Sequence, residues 1–273
     1  MSSSAQSSLQ SSVVVTGGAR GIGRGIAERL VARGHRVVLT DLDGAQAADT
    51  AAEIGAEEGL THDVRNPAHH AAVAEAALDH GPLTAWFNNA GVGDDGRLAD
   101  LTDEQVRRLV EVNLLGVLWG MRTALGAFGP AGGDVVNVAS LAGLGPVPGY
   151  TVYAATKAAV VSATASAEAE TPRSVRVHAL CPDAVQTAML EGQDPTGLGS
   201  QLVHSAPRVL TVDEVADAAT SLLGSRRVLL SVPAWRGGVS RAAALAPSVS
   251  QHALGLFAAQ GRRAIKKRSR SGG

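Results

Sequence analysis

Tyr153 and Lys157 stand four residues apart in Tyr153-Ala-Ala-Thr-Lys157, a stretch whose alanines favour helix. One helical turn stacks the phenol and the ammonium on the same face. A nearby cation favours phenolate, so such a tyrosine exchanges a proton near neutral pH more readily than free tyrosine, whose pKa is about 10. The expected chemistry is general acid/base catalysis at an oxygen. Alone, the pair describes a partly buried tyrosine and a solvated lysine more often than a catalyst, and the surrounding motifs decide. Ser140 lies 13 residues before Tyr153, at the end of the apolar run Val135-Val136-Asn137-Val138-Ala139, where its hydroxyl could steady a developing alkoxide. Asn113 sits in the most apolar part of a helix through Leu109, Val112, Leu115 and Leu118. A buried amide must find partners, either backbone at a local kink or a role beside the site.

These residues need elements to hold them. Val13-Val14-Val15 reads as a buried strand running into Thr16-Gly17-Gly18-Ala19-Arg20-Gly21-Ile22-Gly23, and Ile26, Leu30 and Val31 mark the inner face of a helix ending at Gly34. Glycines in a strand-turn-helix allow positive φ and remove Cβ atoms where a diphosphate approaches, while the helix N–H groups face that anion. Val37-Val38-Leu39-Thr40 ends at Asp41, 18 residues after Gly23. An acid there can accept hydrogen bonds from a ribose diol and repels a 2′-phosphate, favouring NAD over NADP. Arg20 could instead reach a 2′-phosphate, but Asp41 would face that phosphate directly and is given the greater weight.

A helix over 44–57, a strand ending in His62-Asp63-Val64, a helix over 67–80 and the strand Leu83 to Phe87 continue a βαβ alternation with right-handed crossovers. Asn88-Asn89-Ala90-Gly91 follows at the carboxyl end of that strand, where ligands bind in open sheets. Thr102 and Thr211 each begin capping-box spacings. The helix holding Tyr153 is bounded by Pro148-Gly149 and Pro172, further strands cover 175–179 and 228–230, and the Gly- and Pro-interrupted stretch 188–208 reads as a substrate lid.

Of 273 residues, 45% are hydrophobic and 18% charged, enough for one large core and a single α/β domain. Cys181 is the only cysteine, which excludes an internal disulfide and suits a reducing compartment. With no h-region and no apolar run near 18 residues, a cytoplasmic protein is expected. Six of the 24 basic residues fall within 262–270, leaving an acidic body and a basic tail that reads as a solvated end, with no nucleic-acid partner expected. His69 and His70 diverge on a helix, no His-Glu-x-x-His occurs, and no metal is expected.

Together, Thr-Gly-x-x-x-Gly-x-Gly at 16–23, Asp41, Asp63-Val64, Asn88-Asn89-Ala90-Gly91, Asn113, Ser140 and Tyr153-x-x-x-Lys157 resemble the short-chain dehydrogenase/reductase family over about residues 12–230. The resemblance implies a doubly wound (Rossmann) parallel sheet of about seven strands in a three-layer α/β/α domain that binds a nicotinamide dinucleotide. It implies Tyr153 as general acid/base and Ser140 as hydrogen-bond donor to the substrate oxygen. Lys157 would hold the nicotinamide ribose and lower the Tyr153 pKa, and Asn113 would hold a water linking Lys157 to solvent. Cofactor contacts are expected at Gly17, Arg20, Gly21, Ile22, Gly23, Asp41, Leu42, Asp63, Val64, Asn89, Ala90, Gly91, Tyr153, Lys157, Pro182, Val185 and Thr187. Cys181-Pro182-Asp183 departs from the family's pattern, which has glycine where Asp183 stands. Tyr150 has Ala154 in place of lysine four residues on, and is set aside.

Leu141, Leu144, Val147, Met189 and Leu190 are apolar candidates for the substrate pocket, so a hydrophobic secondary alcohol or its ketone is expected: steroid-like, terpenoid or alicyclic. The expected organisation is a Ser-rich arm over 1–11, a catalytic domain over 12–232 and an extension over 233–273. In the extension, Val249, Ala253, Leu256 and Phe257 form a helical stripe, packed on the subunit or a symmetry mate, or else lying on a membrane with the basic tail. A homodimer or homotetramer packed through the helix around Tyr153 is expected by resemblance. A non-catalytic dinucleotide-binding regulator and a membrane-surface lipid-metabolising reductase are the alternatives.

Overall fold

The computed structural model describes residues 11–94, 96–206, 208–245 and 255–266. Most of the Ser-rich arm, Val249 and Ala253 of the stripe, and the end of the basic tail lie outside the described residues.

Val13, Val14 and Val15 are wholly buried because β1 (Ser12–Thr16) lies inside the sheet, paired with β2 (Arg36–Asp41) on one side and β4 (Leu83–Asn88) on the other. An apolar run on both faces suits a parallel strand covered by helices on both sides. With β3 (Glu58–Thr61), β5 (Gly133–Val138), β6 (Val175–Pro182) and β7 (Leu229–Val232), the seven strands run parallel in the order β3-β2-β1-β4-β5-β6-β7. The order reverses between β1 and β4, which opens a crevice at their carboxyl ends.

Alternate residues serve opposite layers. Val13, Val15, Leu39, Phe87 and Val136 pack with α1 (Gly21–Ala32), α2 (Gly44–Ile54) and α9 (Val212–Thr220). Val14, Val38, Trp86, Val135 and Val177 face α3 (Pro67–Asp79), α5 (Gly116–Ala127) and α6 (Thr151–Glu170). Both capping boxes are formed, at Thr102 before α4 (Asp103–Val110) and at Thr211 before α9.

The helix that begins after Thr102 is interrupted at Glu111–Leu115 by a π turn, in which the Gly116 N–H reaches back five residues to the Glu111 carbonyl. The wide turn carries Asn113 and satisfies its amide on neighbouring backbone, as described below. The stretch 188–208 holds two short helices, α7 (Ala188–Glu191) and α8 (Leu198–Val203). Beyond β7 come α10 (Ala234–Leu245) and α11 (255–266). The expected inner stripe of α11 is corrected: Leu256 is 75% exposed, whereas Ala258 and Gly261 are buried. Small residues win because α11 lies close on α8, where a Cβ on Gly261 would collide with the Gln201 carbonyl. Among the described residues no helix is long and apolar enough to cross a membrane.

Candidate active site

Where β1 and β4 lie side by side, the turns after them are tied together. The Thr16 hydroxyl donates to the Phe87 carbonyl (3.2 Å) and accepts from the N–H groups of Asn89 (3.0 Å) and Ala90 (3.1 Å). The Asn89 amide donates back to the carbonyls of Thr16 (3.0 Å) and Gly17 (2.9 Å). Gly17 has φ +61°, and a Cβ on it would lie 2.8 Å from the Ala90 Cα, so a side chain is excluded twice over. No side chain caps α1 and no acid stands in its first turn, which leaves the positive helix end facing the cavity. Gly23 is a correction: it is not on the cavity wall, and a Cβ there would collide with the Gly17 carbonyl, so its smallness serves the packing of α1 on the turn.

Further along, one Asp41 oxygen accepts from the Ala19 N–H at 3.3 Å, and Arg20 and Leu42 border the same space. The Asp63 carboxylate is gripped by Arg65, with Nη2 at 2.7 Å, which holds it below the usual carboxylate range. His62 borders the same cavity beside it, 2% exposed, with Nδ1 2.9 Å from the Thr40 hydroxyl. Burial, then repulsion from His70 and His69, pushes the His62 pKa down to about 3.

At the other end, β5 delivers Ser140, whose Oγ accepts from the Ala142 N–H at 3.1 Å. Its proton is therefore free for the hydrogen bond it shares with Tyr153. Lys157 lies one turn along α6, 4% exposed, donating to the Val138 carbonyl at 2.8 Å, with Nζ 5.7 Å from the Tyr153 ring centre. Burial draws this ammonium down to about 8. Burial also raises the Tyr153 pKa, opposed by the bond from Ser140. The Lys157 ammonium is turned to a backbone carbonyl, and burial sets the direction of the Tyr153 shift.

Asn113 is fully buried and off the cavity wall. Its Oδ1 accepts from the Val92 N–H (2.9 Å) and its Nδ2 donates to the Val92 carbonyl (2.8 Å). A Cβ on Gly91 would lie 3.2 Å from Asn113 Oδ1 and 3.6 Å from Lys157 Nζ, so the amide, the ammonium and this loop converge.

A single cavity of about 830 Å³ joins the two ends. Gly17, Arg20, Gly21, Ile22, Asp41, Leu42, Asp63, Val64, Asn89, Ala90, Gly91, Pro182, Val185 and Thr187 line it toward one end. Ser140, Leu141, Val147, Tyr153, Lys157, Met189 and Leu190 line the rest. Leu144 is a correction: it ends the short turn after Ser140, is buried in the core and packs beside Gly237 of α10. Asp183 is no loose charge, since its carboxylate accepts from Arg236 of α10 at 2.7 Å and 3.4 Å. The sequence reading missed Arg236, Val239, Ser240, Ala243 and Phe257 on the wall, and set aside Tyr150, whose ring lies 5.7 Å from that of Tyr153. The 236, 239, 240, 243 spacing is a helix face, but nothing local says what that face covers.

A family model described as short chain dehydrogenase matches residues 11–196. The 3-beta-hydroxysteroid dehydrogenase of Comamonas testosteroni is 32% identical over 206 residues, covering 72% of this chain and 79% of that protein. A short-chain dehydrogenase/reductase from Burkholderia phymatum, solved in complex with NAD, is 31% identical with a TM-score of 0.74, covering 81% of this chain and 88% of the other. An actinorhodin polyketide ketoreductase solved with NADPH is 29% identical with a TM-score of 0.73, covering 82% and 95%.

Proposed function

The chain belongs to the short-chain dehydrogenase/reductase family, a family of oxidoreductases, and we propose that it interconverts a hydrophobic secondary alcohol and its ketone with NAD as the preferred cofactor. The observation that carries this reading is that Ser140, Tyr153 and Lys157 share one cavity wall, with Lys157 one helical turn along α6 from Tyr153.

The residues present fit a nicotinamide dinucleotide. The Gly17 cradle has no room for a Cβ, and the uncapped start of α1 suits a diphosphate. Gly17, Arg20, Gly21 and Ile22 would hold the diphosphate, Asp41 and Leu42 the adenosine ribose, and Asp63 and Val64 the adenine. Asn89, Ala90, Gly91, Lys157, Pro182, Val185 and Thr187 would hold the nicotinamide half. Asp41 supports NAD, because a 2′-phosphate would stand against its carboxylate.

The bound cofactor supplies or accepts the hydride. In ketone reduction, Tyr153 donates its proton to the carbonyl oxygen, and its raised pKa keeps that proton in place at neutral pH. Ser140 donates a hydrogen bond to the same oxygen as negative charge grows there. In alcohol oxidation Tyr153 takes the proton as phenolate. Lys157 places a cation one turn away, and Asn113, through Val92, fixes the loop beside it. Leu141, Val147, Met189 and Leu190 keep water from the reacting carbon. The exposed small residues Ala155, Ala158 and Ser162 of α6 support association with a second copy.

The test is titration with NADH and NADPH by nicotinamide fluorescence, followed by a ketone screen. NADH should bind more tightly. A protein that bound NADH tightly yet reduced no ketone would refute the catalytic reading, and tighter NADPH would make Arg20 the selector.

A further inference from the structure

We infer that α10 and α11 form a specificity-determining wall which makes the site select bulky, uncharged alicyclic ketones over small ones; the substrate class rests on the oxidoreductase reading above. Both helices lie beyond residue 196, where the family match ends. Arg236, Val239, Ser240 and Ala243 recur at the spacing of one helix face and all border the cavity, with Phe257 of α11 beside them. The cavity that holds Tyr153 therefore also reaches these helices, and a small ketone held at Tyr153 would leave Val239, Ala243 and Phe257 without contact.

The wall is fastened at both ends. Arg236 reaches the Asp183 carboxylate at the end of β6, and both side chains are largely buried, 15% and 7% exposed. The Ser240 carbonyl sits so close to the loop after Ser140 that a Cβ on Gly145 would lie 2.6 Å from it. At the far end Arg262 donates to Gln201 Oε1 at 2.9 Å, joining α11 to α8. These fastenings also spend the charge. The Arg236 guanidinium is taken by Asp183, and that of Arg108, the other arginine on this part of the wall, by Asp94 at 2.7 Å. Among the described residues, an anionic substrate finds no uncommitted arginine on this part of the wall.

The experiment compares kcat/KM with NADH for butanone, cyclohexanone, 2-decalone and the anion levulinate, in the full chain and in Ala243→Trp. The wild type should prefer 2-decalone to butanone by at least tenfold and take levulinate at least tenfold less well than butanone. Ala243→Trp should lose at least tenfold on 2-decalone, mainly in KM, with butanone within twofold and the NADH Kd unchanged. No size preference, preference for levulinate, or an equal loss on all ketones would overturn the wall. If Ala243→Trp does not fold, Phe257→Ala carries the test, raising the 2-decalone KM several-fold and sparing butanone. A wild type that turns over no ketone refutes the oxidoreductase reading separately, and equilibrium dialysis of 2-decalone then decides: tenfold weaker binding to Ala243→Trp sustains the wall, equal or absent binding removes it.

Discussion

The two ends of the cavity are made of different material. Around Gly17 and Asn89 the wall is largely backbone, held by hydrogen bonds from the Thr16 and Asn89 side chains that tie two turns distant in sequence. Past Tyr153 it is side chains, brought from α6, the 188–208 stretch, α10 and α11. A backbone wall fixes the shape of what binds and tolerates almost no substitution. A side-chain wall can be resurfaced residue by residue without touching the fold, so on the proposed reading cofactor recognition is constrained and substrate recognition is adjustable.

The comparison can be broken most forcefully at the junction of the two ends. Tyr153→Phe should cut kcat by about 10²–10⁴-fold while the NADH Kd, read by fluorescence, stays within twofold; an active Phe variant would remove the phenol from the chemistry. Next in size is Gly23→Ala, whose new Cβ collides with the Gly17 carbonyl. It should weaken NADH binding at least tenfold and lower stability by about 1–3 kcal/mol in chemical denaturation. If it binds normally, the backbone end is softer than described. Asp41→Ala should shift the NADH to NADPH affinity ratio by about tenfold toward NADPH, leaving the substrate profile unchanged. A shift in ketone preference instead would mean that the two ends are not independent.

The smaller effects concern pH. Tyr153 is raised by burial, so alcohol oxidation, which needs phenolate, should climb with pH above neutrality while ketone reduction stays flat. His62 pulls in the same direction as a paired carboxylate, though from a higher pH. Its folded pKa of about 3 lies below the ordinary 6.5, so the unfolded chain takes up a proton first as pH falls. Stability is full above pH 6.5 and is lost between 6.5 and 3, by at most about 1.4 kcal/mol per pH unit from this group. Denaturation at pH 7 and pH 5 should differ in that direction, and equal stability would show that His62 has solvent to itself.

Legibility followed the same division. The three buried valines of β1 and the glycine turn were readable because an apolar run and closely spaced glycines report themselves locally, whereas the bonds that tie the Asn89 loop to Thr16 and Gly17 span 72–74 residues. Asn113 was legible as a buried amide at a kink, though not the extra residue in the turn that makes the kink. Leu141 and Leu144 are the same residue type three positions apart and both pack in the core, yet only Leu141 also borders the cavity. Gly23 looked like its neighbours in the motif yet serves packing. Asp183 stood out as a departure, but its partner Arg236 lies 53 residues on, and no periodicity connects them. In α11, hydrophobicity pointed to Leu256, whereas the close approach to α8 demanded Ala258 and Gly261.

The π turn at Glu111–Leu115 is also a statement about insertions. It holds one residue more than an α-helix would need, so a gene lacking one codon there would encode a continuous helix. The protein would gain a regular hydrogen-bond ladder and turn everything on one side of the deletion by about 100° relative to the other. Asn113 could then no longer meet Val92 while Leu109 and Val117 both kept their places in the core, so the residue count at this point carries a spacing that substitution alone could not restore.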